Sequence, residues 1–401
     1  MGRHDFASLF YPETEKVFLR DYWEKKHWII ARGRDDFYSD LLGVGNLDSL
    51  LSLSSFNTPS DQADVRLVKT ENGKSVSQRV VFRPDGRLDI FGVYAAVQAG
   101  FTLIVNRLEF RWTAIAQLCR NLEAALNHRV SANLYYTPPD SQGFSPHYDT
   151  HDVLVLQLAG SKLWRLYHRA QLLPLADADV VVARASLSAP VEEKILNAGD
   201  LLYLPRGQVH EALTAGGASL HLTVGIYALC WFHLIQEAVR KAARSSVELR
   251  EALPPGWFNG SHDRPMNEAK WRALLDQFCA TADLARAWES LGNDFLTSSS
   301  PPPDGHFASI ERAETLALES PVRKRSGIAC VSGIVHEQAV ISFCGKSVRG
   351  PRHLIETFRF IATNGQFLVK DLPGGLSDSA KVVLAKRLVR EGLLAIDPEG
   401  A

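Results

Sequence analysis

No apolar run in the sequence approaches the roughly 18 residues that a membrane-spanning helix requires. The first residues, MGRHDFASLFYPE, lack the basic-then-apolar order of a secretory signal, and those after Gly2 do not suit myristoylation. Net charge is nearly absent: 44 Lys and Arg stand against 45 Asp and Glu. That balance argues against a chain that wraps nucleic acid or lies on an acidic membrane. The five cysteines (Cys119, Cys230, Cys279, Cys330, Cys344) are scattered and form no CxxC pair. An odd, unpatterned set reads as reduced thiols in a cytoplasmic protein. Internal repeats and long low-complexity tracts are also missing.

What is present is a chain of 401 residues, 46% hydrophobic, long enough for two or three cores. Residues 1–227 alternate short apolar runs with Gly, Pro and Asp: HWIIA, VRLVK, RVVFRP, TLIVN, ANLYY, VLVLQLA, LWRLY, LLYLP and SLHLTVGIY. Many short strands with turn punctuation predict a sandwich or barrel. Helical spacing interrupts it in YPETEKVFLRDYWEK and TAIAQLCRNLEAALN. Residues 228–296 are helical by period, with Trp231, Leu234, Ile235, Ala238 and Val239 on one side. That face can pack on its own chain or on a second copy. TSSSPPPDG reads as a linker. Beyond it, two strand-like runs, two helical segments and a final LLAID predict a winged helix. Residues 351–401 hold seven Lys and Arg against six Asp and Glu, so a structural or protein-binding role is expected there and not direct DNA binding. The expected division is 1–227, 228–300 and 301–401.

The chemistry concentrates in GFSPHYDTH, residues 143–151. Read as strand, its alternation puts His147 and Asp149 on one face. A third group should come from a distant strand, and His210 in GDLLYLPRGQVHEA is the best candidate. Two histidines and one carboxylate occupy three positions of an octahedron and leave three open, which suits non-haem Fe(II). Structural zinc more often takes cysteine or a closed tetrahedral set. Lys162, in AGSKLWRLY, either points outward from a turn or lies in the barrel, where an ammonium requires an anion. A dicarboxylate such as 2-oxoglutarate would supply one. Around these groups, His151 is expected at the pocket rim and His221 beside the metal or in the core. Asp200 would order a turn, Trp164 and Tyr167 would pack, and Gln142 and Tyr148 are candidates to touch substrate.

NLYYTPPDSQGFSPHYDTHDVLVLQLAGSKLWRLY, with GDLLYLPRGQVHEA and SLHLTV, strongly resembles the JmjC-type ribosomal oxygenases, 2-oxoglutarate-dependent protein hydroxylases of the cupin superfamily. FLRDYWEKKHWIIARG is similar to their N-terminal segment, LREALPPGW falls in their helical dimerisation region, and DLPGGLSDSAKVVLAKRLVREGLL resembles their winged helix. The resemblance implies a mainly β fold with α, a double-stranded β-helix (jelly-roll, cupin) catalytic domain, a helical dimerisation region and a C-terminal winged helix. It implies Fe(II) held by His147, Asp149 and His210, 2-oxoglutarate paired with Lys162, and Asn133 and Tyr135 lining the cosubstrate and substrate pocket, with His221 among the cosubstrate-binding residues. Dioxygen would be the co-reactant, a protein or peptide, such as a ribosomal protein, the substrate, and a homodimer the assembly. Members that hydroxylate ribosomal histidines carry Arg where this chain has Ile104 and Ser where it has Gly225, so the target residue stays open between histidine, arginine and other groups. The other readings are the same chemistry on a natural-product peptide or metabolite, and a non-enzymatic cupin-like binding or scaffold protein.

Overall fold

The structure is a computed structural model and describes residues 5–56, 63–178, 182–258 and 264–396. Ten strands build one antiparallel sheet: β1 (Trp28–Ile30), β2 (Val65–Glu71), β3 (Lys74–Gln78), β4 (Thr102–Val105), β5 (Arg129–Thr137), β6 (Asp152–Leu166), β7 (Glu192–Asn197), β8 (Leu201–Leu204), β9 (His210–Leu213) and β10 (Ser219–Tyr227). Its path runs β1-β8-β6-β10-β5-β4-β2-β3, with β7 and β9 also paired to β6.

β6 organises the sheet. Its first seven residues, DVLVLQL, are all buried, as expected of a strand covered on both faces. VLVLQLA and LWRLY, read above as two strands about a turn, are one continuous strand. Gly160 makes this possible: its φ is +64°, and a Cβ there would fall 2.0 Å from the Ala218 carbonyl oxygen. Before this bend, Val153–Leu156 lie between β8 and β10. After it, Leu163–Leu166 lie between β7 and β9. One strand therefore serves two layers, and the sheet folds over along it to enclose a cavity. RVVFRP, expected as a strand, contributes only the isolated bridge Phe82↔Leu88.

Helix α1 (Thr113–Leu126) buries Ile115, Leu118, Cys119 and Leu122 in the main core beside Leu134 of β5 and Leu222 and Val224 of β10. Burial of each such side chain stabilises the fold by about 1.5–3 kcal/mol. The helix ends where Asn127 turns left-handed, its N–H donating to the Glu123 carbonyl. This packing holds β5 under the cavity.

Beyond β10 come α2 (Trp231–Ser245), α3 (Arg264–Thr281) and α4 (Leu284–Ser298). Leu234 and Ala238 of α2 meet Ala287 of α4 in a small core. Trp231, Ile235 and Val239, on the same stretch, stay exposed. The C-terminal part has two three-stranded sheets, β15-β11-β16 and β12-β13-β14, formed by β11 (Pro321–Lys324), β12 (Cys330–Val335), β13 (Gln338–Phe343), β14 (Lys346–Pro351), β15 (Gln366–Leu368) and β16 (Leu394–Ile396). They share an apolar core with α5 (Ile355–Thr363) and α6 (Asp378–Glu391). Ser377 caps the start of α6, accepting from the Ala380 N–H, and Gly392 at φ 90° ends it. Among the described residues no helix is long and apolar enough to cross a membrane.

Candidate metal centre

GFSPHYDTH is not a strand. His147 makes only an isolated bridge to His210, the first residue of β9, and the stretch otherwise runs as an irregular loop between β5 and β6. The bridge itself brings the two histidines together. The His147 N–H donates to the His210 carbonyl at 3.1 Å and the His210 N–H to the His147 carbonyl at 2.8 Å. Their rings stand 4.5 Å apart. Asp149 is fixed from behind, its carbonyl accepting from the Gly207 N–H at 2.9 Å.

The ligating atoms of His147, Asp149 and His210 all lie within 4.8 Å of one another. Small rotamer changes would bring such a set onto one ion at bonds of about 2.1 Å. Among the described residues no other group of three His, Cys, Asp or Glu is so close. Both rings are oriented by backbone: His147 Nδ1 lies 2.9 Å from the Ser145 carbonyl and His210 Nδ1 3.0 Å from the Gln208 carbonyl. With the N–H on Nδ1 donating there, each Nε2 lone pair is left for a metal. His210 Nε2 lies 3.8 Å from Asp149 Oδ2. Burial, then the neighbouring His147, push the His210 imidazole down to about 4, so it is neutral near pH 7. Burial pushes the Asp149 carboxyl up, but His151, His147 and His210 together hold it below the usual carboxylate range. Two neutral-capable imidazoles and one carboxylate are the donor set that a divalent iron-type ion takes.

These groups line a cavity of about 200 Å³. Lys162 reaches into it from the second half of β6. Its side chain is 4% exposed, and its Nζ donates to Thr137 Oγ1 at 2.8 Å. Burial alone brings this ammonium down to about 7. Lys162 is thus an interior residue, not a surface-turn lysine. Asn133 and Tyr135, on the same face of β5, also line the cavity. Asn133 Oδ1 accepts from the Arg107 N–H, which turns its amide NH₂ away from that contact. His221 stacks on Tyr135 at 4.9 Å and meets Trp164 edge-on at 5.6 Å. Its Nδ1 is buried without a hydrogen-bond partner. Burial, then the Lys162 charge, hold that imidazole well below its ordinary value.

Several neighbours differ from expectation. Trp164, expected to pack, does so beside Leu166, Leu202 and Leu204, and it also lines the cavity with Lys162. Gln142 and Tyr148 do not line it. Gln142 donates to Glu211 Oε2 at 2.9 Å, and Tyr148 packs with Tyr167 and Val209 behind the loop. Asp200 orders its turn, accepting from the Asn197 and Arg32 N–H groups. Sequence reasoning missed Thr137, although the two-residue spacing from Asn133 and Tyr135 places it on the same face. It also missed Arg66 and Thr102, for which no motif gives a signal. His151 lies over Gly225: a Cβ there would fall 2.7 Å from its Cδ2.

An antiparallel β cavity with an inward His, Asp and His cluster is a barrel whose donor set fits a metal ion. Residues 104–234 match the JmjC domain family. The chain is also similar in sequence to ribosomal oxygenases and their relatives. It is 32% identical over 283 residues to the bifunctional lysine-specific demethylase and histidyl-hydroxylase NO66 of Drosophila persimilis, spanning 69% of this chain and 40% of that one. It is 30% identical over 321 residues to ribosomal oxygenase 1 of Danio rerio, spanning 74% of this chain and 56% of that one. The chain thus spans about half the length of these curated relatives, or less. Its fold is that of the ribosomal oxygenase YcfD of Escherichia coli, solved with cobalt and 2-oxoglutarate: TM-score 0.57, 18% identity, 96% of this chain and 98% of that one.

Proposed function

We propose that this chain is an Fe(II)- and 2-oxoglutarate-dependent oxygenase that hydroxylates a side chain of a protein or peptide, a ribosomal protein being the favoured substrate. One observation carries the reading: two imidazoles with their Nε2 atoms left free and a carboxylate face one cavity that also holds a buried lysine with a single hydroxyl partner. The relatives named above, histidyl-hydroxylase and ribosomal oxygenase by name, support the substrate class.

His147, Asp149 and His210 would hold the iron, which when bound supplies redox chemistry with dioxygen at its open positions. The residues then divide the remaining work. Lys162 binds the far carboxylate of 2-oxoglutarate, and Thr137 steers its ammonium. His221 and Trp164 wall the cosubstrate from water and keep that end of the cavity apolar around the ion pair. Asn133 offers its NH₂ and Tyr135 its ring at the substrate side. The target residue stays open, because Ile104 and Gly225 differ from the histidine-hydroxylating pattern.

The division into a catalytic part (1–227), a helical dimerisation region (228–300) and a winged-helix-like part (301–401) belongs to the same proposal. Exposed Trp231 (71%) and Trp288 (62%), beside exposed Ile235, support a homodimer through the helices. Balanced charge in the last part favours protein contacts over DNA.

The test is spectroscopic. Protein loaded anaerobically with Fe(II) is expected to develop a weak visible charge-transfer band on adding 2-oxoglutarate. His210→Ala should abolish the band. A folded, metal-loaded wild type without any band would overturn the cosubstrate assignment.

A further inference from the structure

The loop that carries His147 and Asp149 has no regular structure of its own, so something must fix it against β9, which carries His210. Backbone contacts supply part of the answer on the cavity side. On the opposite side lies Glu211. It follows His210 on β9, so its side chain leaves the strand in the other direction. It is 1% exposed, and its carboxylate gathers three segments. Oε1 accepts from the Tyr167 hydroxyl at 2.6 Å, just past the end of β6. Oε2 accepts from the Gln142 amide at 2.9 Å, on the stretch leading into the metal loop. Oε2 also accepts from the Arg184 guanidinium, on the excursion between β6 and β7.

An apolar cluster adjoins this carboxylate. Tyr148, between the two candidate ligands, turns away from the cavity to pack with Tyr167 and Val209, with Val182 and Leu187 of the same excursion against them. The loop therefore faces two ways: His147 and Asp149 forward, Tyr148 backward. Gln142 and Tyr148, unassigned in the cavity, both find their partners here.

We propose that Glu211 is a positioning residue for the metal site: its buried carboxylate holds the His147–Asp149 loop in register with the strand that presents His210. The inference rests on the reading of those three residues as metal ligands. A carboxylate suits the task because it only accepts, and the groups that converge on it, a hydroxyl, an amide NH₂ and a guanidinium, all donate. A glutamine of the same shape would set an NH₂ against at least one of those donors.

The test uses Co(II) alone as the probe on the full chain, without cosubstrate, substrate or turnover. Affinity comes from chelator competition and site geometry from the d–d absorption of the bound ion. Glu211→Gln should weaken Co(II) binding about 10–100-fold, the range for groups that orient metal ligands, and shift the d–d bands. Gln142→Leu, which cuts the Glu211 arm to the loop together with the Gln142 bond to the Phe144 carbonyl, should move both readouts the same way to a smaller extent. Glu123→Gln, at a buried ion pair with Arg120 and Arg129 outside the cavity, serves as control and should lower thermal stability while leaving both Co(II) readouts unchanged. Folded Glu211→Gln and Gln142→Leu proteins with wild-type affinity and spectrum would overturn the proposal. If Glu211→Gln does not fold, Gln142→Leu decides alone. A wild type that takes up no Co(II) would overturn the metal reading itself, and this inference with it.

Discussion

Lys162 and Arg325 are both 4% exposed, and the chain treats the two cations in opposite ways. Arg325, after β11, is fully engaged. Its Nε and Nη2 grip the Asp304 carboxylate at 2.9 and 2.7 Å, and Nη2 and Nη1 donate to the Pro302 and Gly392 carbonyls at 2.8 Å each. It ties the Pro-rich linker to the end of α6. Lys162 has one hydroxyl oxygen and a cavity in front of it. A satisfied buried charge closes a structure, whereas an unsatisfied one keeps a place for an anion. The contrast separates Arg325, a buried cation with a full set of acceptors, from Lys162, a buried cation that faces a cavity.

The sharpest way to break that comparison is at Arg325. Arg325→Ala leaves the partly buried Asp304 carboxylate and the Pro302 and Gly392 carbonyls without their partner and should cost up to about 3–5 kcal/mol in urea unfolding. The 2-oxoglutarate charge-transfer band of the folded variant should stay as in wild type. A band that vanished with Arg325 would show that the two cations are not independent.

Lys162→Met should do the reverse. Loss of the ion pair should weaken 2-oxoglutarate about 100-fold, in line with 1.5–3 kcal/mol for a hydrogen bond to a charged group. Without cosubstrate the variant should be more stable than wild type by about 1–3 kcal/mol, because an ammonium is no longer taken from water. A variant less stable than wild type in the absence of cosubstrate would put Lys162 with Arg325 among the structural cations.

The smallest effect is in pH. Lys162 is held down to about 7 in the open cavity, against an ordinary value near 10.4. From pH 7 to about 10 the unfolded chain therefore binds the proton that the folded chain has released, so this group makes stability rise with pH across that window. Cosubstrate binding has the opposite slope. The carboxylate needs the ammonium, so affinity should fall by up to tenfold per pH unit above 7. Calorimetric titration at pH 6.5, 7.5 and 8.5 reads the slope, and Lys162→Arg should flatten it because a guanidinium keeps its charge.

Much of this was legible in the sequence because local chemistry and fold agree there. The His147, Asp149 and His210 set was found from spacing and residue type, although the reason given for His147 and Asp149 sharing a side was a strand, and the chain uses an irregular loop pinned by one bridge. Lys162 could be placed only as either inside or outside, since a lysine after Gly-Ser reads equally well as a turn. What decided it was Gly160, whose left-handed backbone bends β6 without ending it. No local pattern announces that two apolar runs flanking a glycine are one strand. The packing of Trp164 was legible, but its facing was hidden by the same gap, because that follows only once Lys162 is known to point inward. RVVFRP has strand composition but only one bridging partner, and partners are not written in composition. Glu211 lies within GDLLYLPRGQVHEA, but nothing local signals its role: its partners Gln142, Tyr167 and Arg184 are 69, 44 and 27 positions away.

The bend at Gly160 has a consequence for selectivity. Asp152, which follows the metal loop directly, and Lys162 belong to one covalent strand. The anchor at Lys162 and the end of the metal loop at Asp152 are therefore set at a spacing fixed by one strand, against which only the loop and β9 have to be held. Under the proposed function such a strand acts as a gauge. A five-carbon 2-oxo diacid would reach both ends at once, a shorter diacid would reach only one, and a longer one would not fit between them. Discrimination among cellular oxo-acids would then rest on dimension, set by a single glycine that lets one strand turn the corner.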